Sequence, residues 1–343
     1  MAEPLRVGVI GAGAMGADHV RTLGTAVPSA RVTRVFDMDG ARAAEVAGPA
    51  GARVSSGSAE LVADDDVDAV IVASPDRTHA ELVLACLEHG KPVLCEKPLA
   101  TDAESALELV GAEVAGGRRL VQVGFMRRYD PGFLELRAVL RSGALGRARL
   151  VHAVHRNASS STSTDDAGLV TGSMIHELDT LPWLLDSPLT GVRVESPVVE
   201  GFRDPQLATL WFADGTMASV EVFVNAGYGY DVRCEVVGTG GTASLAPRTA
   251  VATRIAGAES RAVRDDFVAH FADAYRAELD AWVRSCLDGV PDGPSAWDGY
   301  VALVAAGAGV ASLASGRREP VSPSARPRLY DPPASPTIPT GAA

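Results

Sequence analysis

The sequence predicts an α/β chain: an N-terminal Rossmann dinucleotide-binding domain with a doubly wound parallel sheet, then a C-terminal α+β domain with a large open mixed or antiparallel sheet. Three observations carry this. From Leu5 to Phe125, strand and helix patterns alternate regularly, and the strands are near-continuously apolar, as a sheet covered on both faces requires. "VGVIGAGAMG" puts Gly11, Gly13 and Gly16 directly after the first strand and at the start of a helix, the context in which GxGxxG cradles a dinucleotide. From Val192 to Leu245, strand-like stretches follow one another closely, with "ADGT" and "GTGGT" as hairpin signals.

The elements follow in order. "LRVGVIGAG" is strand then turn, "GADHVRTLGTA" helix, "RVTRVFD" strand and "GARAAEVAG" helix. "VDAVIVASP" is a buried strand, "THAELVLACLEHG" a helix and "KPVLCEKP" the next strand, followed by the helix "DAESALELVGAEVAGG" and the strand "RLVQVGF". After Phe125 the rhythm changes. "ARLVHAVHRN" is strand-like and leads into the polar loop "ASSSTSTDDAG". In "LVTGSMIHELDTLPWLL", Met174, Leu178, Leu181 and Leu185 share one helix face, while His176, Asp179 and Trp183 share another. Pro182 is expected to weaken or bend this helix after Leu178, because it has no N–H to donate. "FVAHFADAYRAELDAWVRSCL" reads as one long amphipathic helix, and "PDGPSAWDGY" opens the last one. The expected division is a Rossmann domain over 1–124, a substrate-binding and oligomerisation domain over 125–320, and a proline-rich tail, extended or disordered, over 321–343.

Composition narrows the function. The net charge of −12 argues against nucleic acid or an anionic membrane as partner. No apolar leader follows Met1, and "YVALVAAGAGVASLA" is too short and glycine-rich to span a bilayer. Cys86, Cys95, Cys234 and Cys286 are widely spaced without a CxxC, as expected for reduced thiols of a cytoplasmic protein. The seven histidines are dispersed, so no metal site is expected. Of 31 basic side chains, only Lys91 and Lys97 are lysine. Arginine does the surface-charge work here, so a remaining lysine is a candidate for needing an amine that gives up its proton.

The GxGxxG glycines have separate duties: Gly11 allows the tight turn, Gly13 lets the pyrophosphate approach, and Gly16 lets helix and strand pack closely. Ala14 and Met15 complete the loop, and the helix N-terminus offers free N–H groups to phosphate. Asp37 ends the second strand, where it would accept the adenosine ribose hydroxyls and repel a 2′-phosphate. Met38 adds no compensating positive charge, so NAD is favoured over NADP, tempered by Arg34 and Arg42 nearby. "SPDRTH" and "CEKP" both follow buried strands and should reach the nicotinamide end. Ser74, Pro75, His79 and Glu96 are therefore expected at the cofactor, with Glu96 free either to pair with Lys97 or to contact the cofactor. Lys97 is the candidate base, since a lysine desolvated to a pKa of about 7–8 can shuttle an alcohol proton while hydride leaves for nicotinamide C4.

Together, GxGxxG, Asp37, "SPDRTH", "EKP" and "HELD" resemble the Gfo/Idh/MocA family of NAD(P)-dependent oxidoreductases, over roughly Leu5 to Val321. "QVGFMRRYDPGF", "VHRNASS", "YGYDVRCEVVG", "FADAYRAELDAWV" and "GPSAWDGY" are similar to inositol 2-dehydrogenases within it. The resemblance implies Lys97 as acid/base and His176 as its proton partner or a ligand of the substrate hydroxyl. It implies Arg127 near nicotinamide and substrate, and His155, Asn157 and Tyr230 around a polyol. One of the adjacent pair Arg127 and Arg128 is expected to be a surface charge. The implied substrate is a cyclitol, most simply myo-inositol oxidised to the 2-ketone, in a homo-oligomer (tetramer or dimer) packed through the open sheet. Gly172 departs from the pattern, which implies an aspartate one turn before the histidine. Asp165, Asp166 or Ser173 is a possible replacement. Otherwise the pocket suits another inositol isomer, an aminocyclitol or a sugar. A non-catalytic NAD-binding sensor is the competing class, and a retained Lys97 in a lysine-poor chain speaks against it.

Overall fold

The computed structural model describes residues 3–160, 165–247 and 251–331. Its first half runs β1 (Leu5–Ile10), α1 (Ala14–Ala26), β2 (Ala30–Phe36), α2 (Gly40–Ala50), β3 (Arg53–Val54), α3 (Ser58–Ala63), β4 (Ala69–Val72), α4 (His79–Glu88), β5 (Val93–Glu96), α5 (Ala103–Gly116) and β6 (Val121–Gly124). The six strands are parallel in the order β3-β2-β1-β4-β5-β6. The order reverses between β1 and β4, so the loops that leave these strands part there and open a crevice beyond their C-terminal ends. Val70, Ile71, Val72, Val93, Leu94 and Cys95 are fully buried, which is why these strands read as unbroken apolar runs rather than alternating ones.

The second half follows with α6 (Pro131–Arg141), β7 (Ala148–Arg156), α7 (Asp166–Gly168), a π-helical segment Leu169–Met174 and α8 (Ile175–Leu185). Next come β8 (Leu189–Glu195), β9 (Gln206–Phe212), β10 (Met217–Phe223), β11 (Asp231–Gly238) and β12 (Thr242–Ser244), then a separate hairpin of β13 (Ala252–Ile255) and β14 (Ala258–Arg261). The chain closes with α9 (Phe267–His270), α10 (Ala272–Asp288), α11 (Ala296–Ser315) and β15 (Glu319–Pro320). The second sheet has the order β12-β11-β7-β10-β9-β8-β15. It is mixed: β7 and β10 pair in parallel, and the other pairs are antiparallel. Both hairpin signals hold: "ADGT" turns β9 into β10, with Gly215 at φ +89°, and "GTGG" turns β11 into β12.

Four local expectations need correction. The opening helix is not uniform: a π-helical stretch carries Gly172, and α-helix begins only at Ile175 and continues to Leu185, past Pro182. The predicted long helix breaks at Phe271, whose ring is fully buried, into α9 and α10. α11 is longer than its apolar stretch implied. At 20 residues it is long and apolar enough to cross a bilayer by those measures alone. Here it packs on α5, α8 and β8, and starts from a Ser295–Asp298 capping box. Finally, the start of the tail is ordered by packing. Just before it β15 pairs with β8, and within it the buried Tyr330 donates its hydroxyl to Glu113 at 2.5 Å. Residues 332–343 of the tail, and 161–164 of the polar loop, lie outside the described residues.

Candidate active site

Glycine geometry builds the cofactor end. Gly11 has φ +97°, and a Cβ there would lie 2.4 Å from the Ala73 carbonyl oxygen. A Cβ on Gly16 would lie 1.8 Å from the Gly11 carbonyl oxygen, so α1 reaches β1 only without a side chain. At Gly13, by contrast, a Cβ meets nothing within 4 Å. Open space at the start of α1, where unsatisfied N–H groups point outward, fits a pyrophosphate. Asp37 is fixed beside it, its carboxylate accepting the Ala12 N–H at 2.7 Å and the Asp39 N–H at 2.8 Å. Arg34 is turned away to Asp64 and Asp66, and Arg42 pairs with Asp39, with one nitrogen 3.9 Å from Asp37. Ala14 and Met38 are exposed, while Met15 packs partly against the second-half core. Ser74 Oγ meets Thr78 Oγ1 at 2.7 Å, and Pro75 leads into that short turn. His79 is buried, its two ring nitrogens 2.7 and 2.8 Å from the carbonyl oxygens of Pro98 and Ser74. It ties the two loops of the reacting end together.

At that end, β5 delivers Glu96 and the half-buried Lys97 on opposite sides of the chain. Lys97 Nζ donates to the carbonyl oxygen of Gly172 at 3.0 Å. Asp165 and Asp166 are engaged elsewhere: Asp165 caps α7 through the Gly168 N–H, and Asp166 accepts from the Arg203 N–H at 2.7 Å. Ser173 is buried. His176, one turn after Gly172, is 6% exposed, and its buried Nδ1 has no hydrogen-bond partner among the described residues. Burial, together with the positive charges of Arg127 and Lys97, holds its pKa well below the usual histidine value. It is a neutral imidazole at physiological pH.

Under the histidine lies a buried charge network. Arg127 is 1% exposed and ion-paired with Glu177, while its other terminal nitrogen lies 3.2 Å from His155 Nδ1. Burial would lift the Glu177 carboxyl, but Arg127 and His155 outweigh it and bring it to about 2. Burial pushes His155 down against the Glu177 carboxylate. His155 Nε2 lies 3.4 Å from the hydroxyl of Tyr230, itself 3% exposed, and the rings of His155 and His176 meet edge to face at 6.0 Å. Asn157, at the end of β7, keeps a buried Oδ1 without a partner among the described residues. The adjacent Arg128 is not a surface charge either. It reaches Asp179 at 3.0 Å and Asp298 at 3.1 Å, locking α8 to α11. Asp179 is pushed up to about 6 by burial, against the pull of Arg128.

The comparisons with known proteins now have a geometry to meet. The family model for oxidoreductases with an NAD-binding Rossmann fold matches residues 5–125, and that for the GFO/IDH/MocA C-terminal domain matches residues 133–244. The chain belongs to the Gfo/Idh/MocA family. It is an NAD-dependent oxidoreductase, and its NAD-binding Rossmann domain carries the open space at Gly13 beside Asp37. It is 49% identical over 334 residues to a Saccharopolyspora erythraea protein named inositol 2-dehydrogenase 2, covering 96% of this chain and 98% of that one. An inositol 2-dehydrogenase of Acidothermus cellulolyticus is 44% identical over 332 residues, covering 95% and 97%. Among solved structures, the Lactobacillus casei myo-inositol dehydrogenase, in complex with NAD(H) and myo-inositol, superposes with a TM-score of 0.92 at 35% identity. It covers 96% of this chain and 100% of that one.

Three residues of this family member's cleft escaped the sequence reading. Glu177 sits inside the quoted "HELD", but nothing in the pattern distinguishes a buried partner of Arg127 from a solvated helix charge. His19 lies on α1 and its Nε2 donates to Glu96 Oε1 at 2.8 Å, so Glu96 is turned inward instead of to Lys97. Glu278 is fully buried on α10. The one available signal was position: His19 and Glu278 both fall on the apolar faces of their helices.

Proposed function

We propose that this chain oxidises one hydroxyl of a cyclitol, myo-inositol first among candidates, to the corresponding ketone. Bound NAD supplies the hydride acceptor. Lys97 takes the hydroxyl proton at Nζ, exchanging the Gly172 carbonyl for the substrate oxygen as its partner. His176, neutral, holds the same hydroxyl. The Arg127–Glu177 pair fixes His155 beneath them, and Asn157 and Tyr230 line the polyol. The single observation that carries this is the half-buried amine of Lys97 poised on a backbone acceptor one helical turn from a neutral imidazole. The names of relatives at 44–49% identity support the substrate class. So do two buried polar atoms without partners among the described residues, Asn157 Oδ1 and His176 Nδ1, since a hydroxyl-rich ring can satisfy both. The test is NADH formation by the purified protein across the inositol isomers. Turnover of myo-inositol is expected, and no turnover with any isomer sinks the reading.

Gly172 favours one second reading, a pocket that prefers another inositol isomer, an aminocyclitol or a sugar. It predicts a higher kcat/KM for such a compound than for myo-inositol in the same assay. We also propose a homo-oligomer built on the outer face of the second sheet. Leu150, Met217 and Trp211 form a cross-strand row there, with Leu150 42% and Met217 37% exposed. A monomer by light scattering would discard that proposal.

A further inference from the structure

An aromatic cluster stands behind the residues proposed to line the polyol. It is built around the break between α9 and α10, where Phe271 leaves helical geometry at φ −108° and ψ 21°. Phe271 is fully buried. Its ring meets those of His270 at 4.7 Å and Tyr230 at 6.1 Å, both edge to face, and Phe267 meets Tyr230 at 6.3 Å. The guanidinium carbon of Arg127 lies 5.7 Å from the centre of the Phe271 ring, inside the distance of about 6 Å at which a cation is drawn to a ring face.

The two groups that Phe271 touches hold the two sides of one histidine. Arg127, from the turn after β6, spends one terminal nitrogen on Glu177 and brings the other to 3.2 Å from His155 Nδ1. Tyr230, just before β11, places its hydroxyl 3.4 Å from His155 Nε2. The choice of an aromatic side chain behind them has a chemical reason. A leucine fills similar space but offers a cation no attraction, and a polar side chain would compete with Glu177 and His155 for the guanidinium N–H groups. A ring face attracts the charge and leaves those N–H groups to their partners. We infer that Phe271 is a positioning residue for the polyol site: its ring holds Arg127 and Tyr230 where both engage His155. The inference rests on the proposed role of His155 at the substrate, but one arm of its test does not.

The test replaces Phe271 in the full chain with phenylalanines carrying one, two and three ring fluorines. Their volumes are nearly equal, while the pull of the ring on a cation weakens with each fluorine. In cofactor-free protein, the imidazole nitrogen-15 NMR signals of His155, assigned with His155→Asn, read what its two nitrogens meet. They are expected to move stepwise with the number of fluorines, which a residue that only fills space would not produce. In steady-state kinetics, KM for myo-inositol should rise about three- to tenfold from no fluorine to three, with kcat and NADH affinity nearly constant. Phe271→Leu should exceed the three-fluorine effect, and the fluorinated series stands alone if that variant does not fold. His155 signals that stay fixed across the series, or a constant KM in an active enzyme, overturn the inference. If the signals move as expected but the wild-type protein turns over no inositol isomer, the proposed function fails and the positioning of His155 by Phe271 stands.

Discussion

At the proposed cofactor end of the cleft, the structure is made of backbone: Gly11 bent to φ +97°, Gly16 against the Gly11 carbonyl, and open space at Gly13. At the proton-handling end it is made of side chains buried with their charges: Arg127 on Glu177, Arg128 on Asp179, and Lys97 on a carbonyl oxygen. The first end depends on what is absent, and any added atom damages it. The second depends on charge balance, and removing one group leaves its partner stranded. This difference predicts that the two ends fail separately. Lys97→Met should lower kcat by about 10²–10⁴-fold, the usual worth of a positioned acid/base, while NADH affinity measured by fluorescence stays close to wild type. Gly13→Val should do the reverse, filling the open cradle and weakening NADH binding, with Lys97 left in place. A Lys97→Met protein that retained a tenth of its turnover would place the proton on another group.

The next effect is on stability. Glu177→Ala leaves Arg127 charged, buried and unpaired, which costs about 3–5 kcal/mol. The exposed pair Arg193–Glu195 should be worth about 0–1 kcal/mol by the same measurement. Equilibrium urea unfolding compares the two directly, and equal losses would mean the buried network carries no special weight.

Legibility in the sequence follows the same division. A backbone turn is written in residue types that have few other uses, so the strand–turn–helix at Gly11, Gly13 and Gly16 could be read at once, as could the parallel sheet that a regular βαβ rhythm implies. A buried charge network is written in residues that elsewhere cover surfaces. Arg127 and Arg128 were expected to be one inside and one out, and both are inside, because each meets a carboxylate on α8 that only the fold brings near. His19 and Glu96 are 77 positions apart, and no local pattern connects them. The π-helical turn at Gly172 was hidden for a related reason: apolar spacing marks which face is buried but not whether each turn holds an extra residue.

The proton-handling end should also carry its own pH dependence. His155 and His176 have folded pKa values depressed by burial, below the unfolded value of about 6.5. The unfolded chain therefore takes up protons first, and stability present above about pH 6.5 is lost as pH falls toward the depressed values. Each histidine contributes up to about 1.4 kcal/mol per pH unit across that window. Asp179, raised to about 6, acts in the opposite sense. Its protonation favours the folded state between about pH 6 and the unfolded aspartate value near 4, and so offsets one histidine there. Glu278, held neutral by burial, acts in the same sense as Asp179, so the test is the difference between variants: from about pH 7 to pH 5, the stability of His176→Asn relative to wild type should rise as pH falls, with a slope difference of up to about one proton. An unchanged slope would mean that His176 is protonated in the folded state.

The smallest expected effect joins the two kinds of construction. Gly172 is a glycine at the end where side chains do the work, and it serves Lys97 through its carbonyl. Residues 172 and 176 flank the junction of the π-helical segment and α8, and among the described residues His176 Nδ1 has no partner. Gly172→Asp should give that nitrogen an acceptor and Lys97 a second one, worth about one hydrogen bond, or roughly three- to tenfold in kcat/KM for myo-inositol. The carboxylate should also raise the pKa of His176 and move the low-pH limb of the profile upward. A gain on myo-inositol with a loss on other cyclitols marks position 172 as the specificity determinant. A loss on every substrate shows instead that the π-helical turn needs its bare backbone, and that the Gly172 carbonyl is the working partner of Lys97.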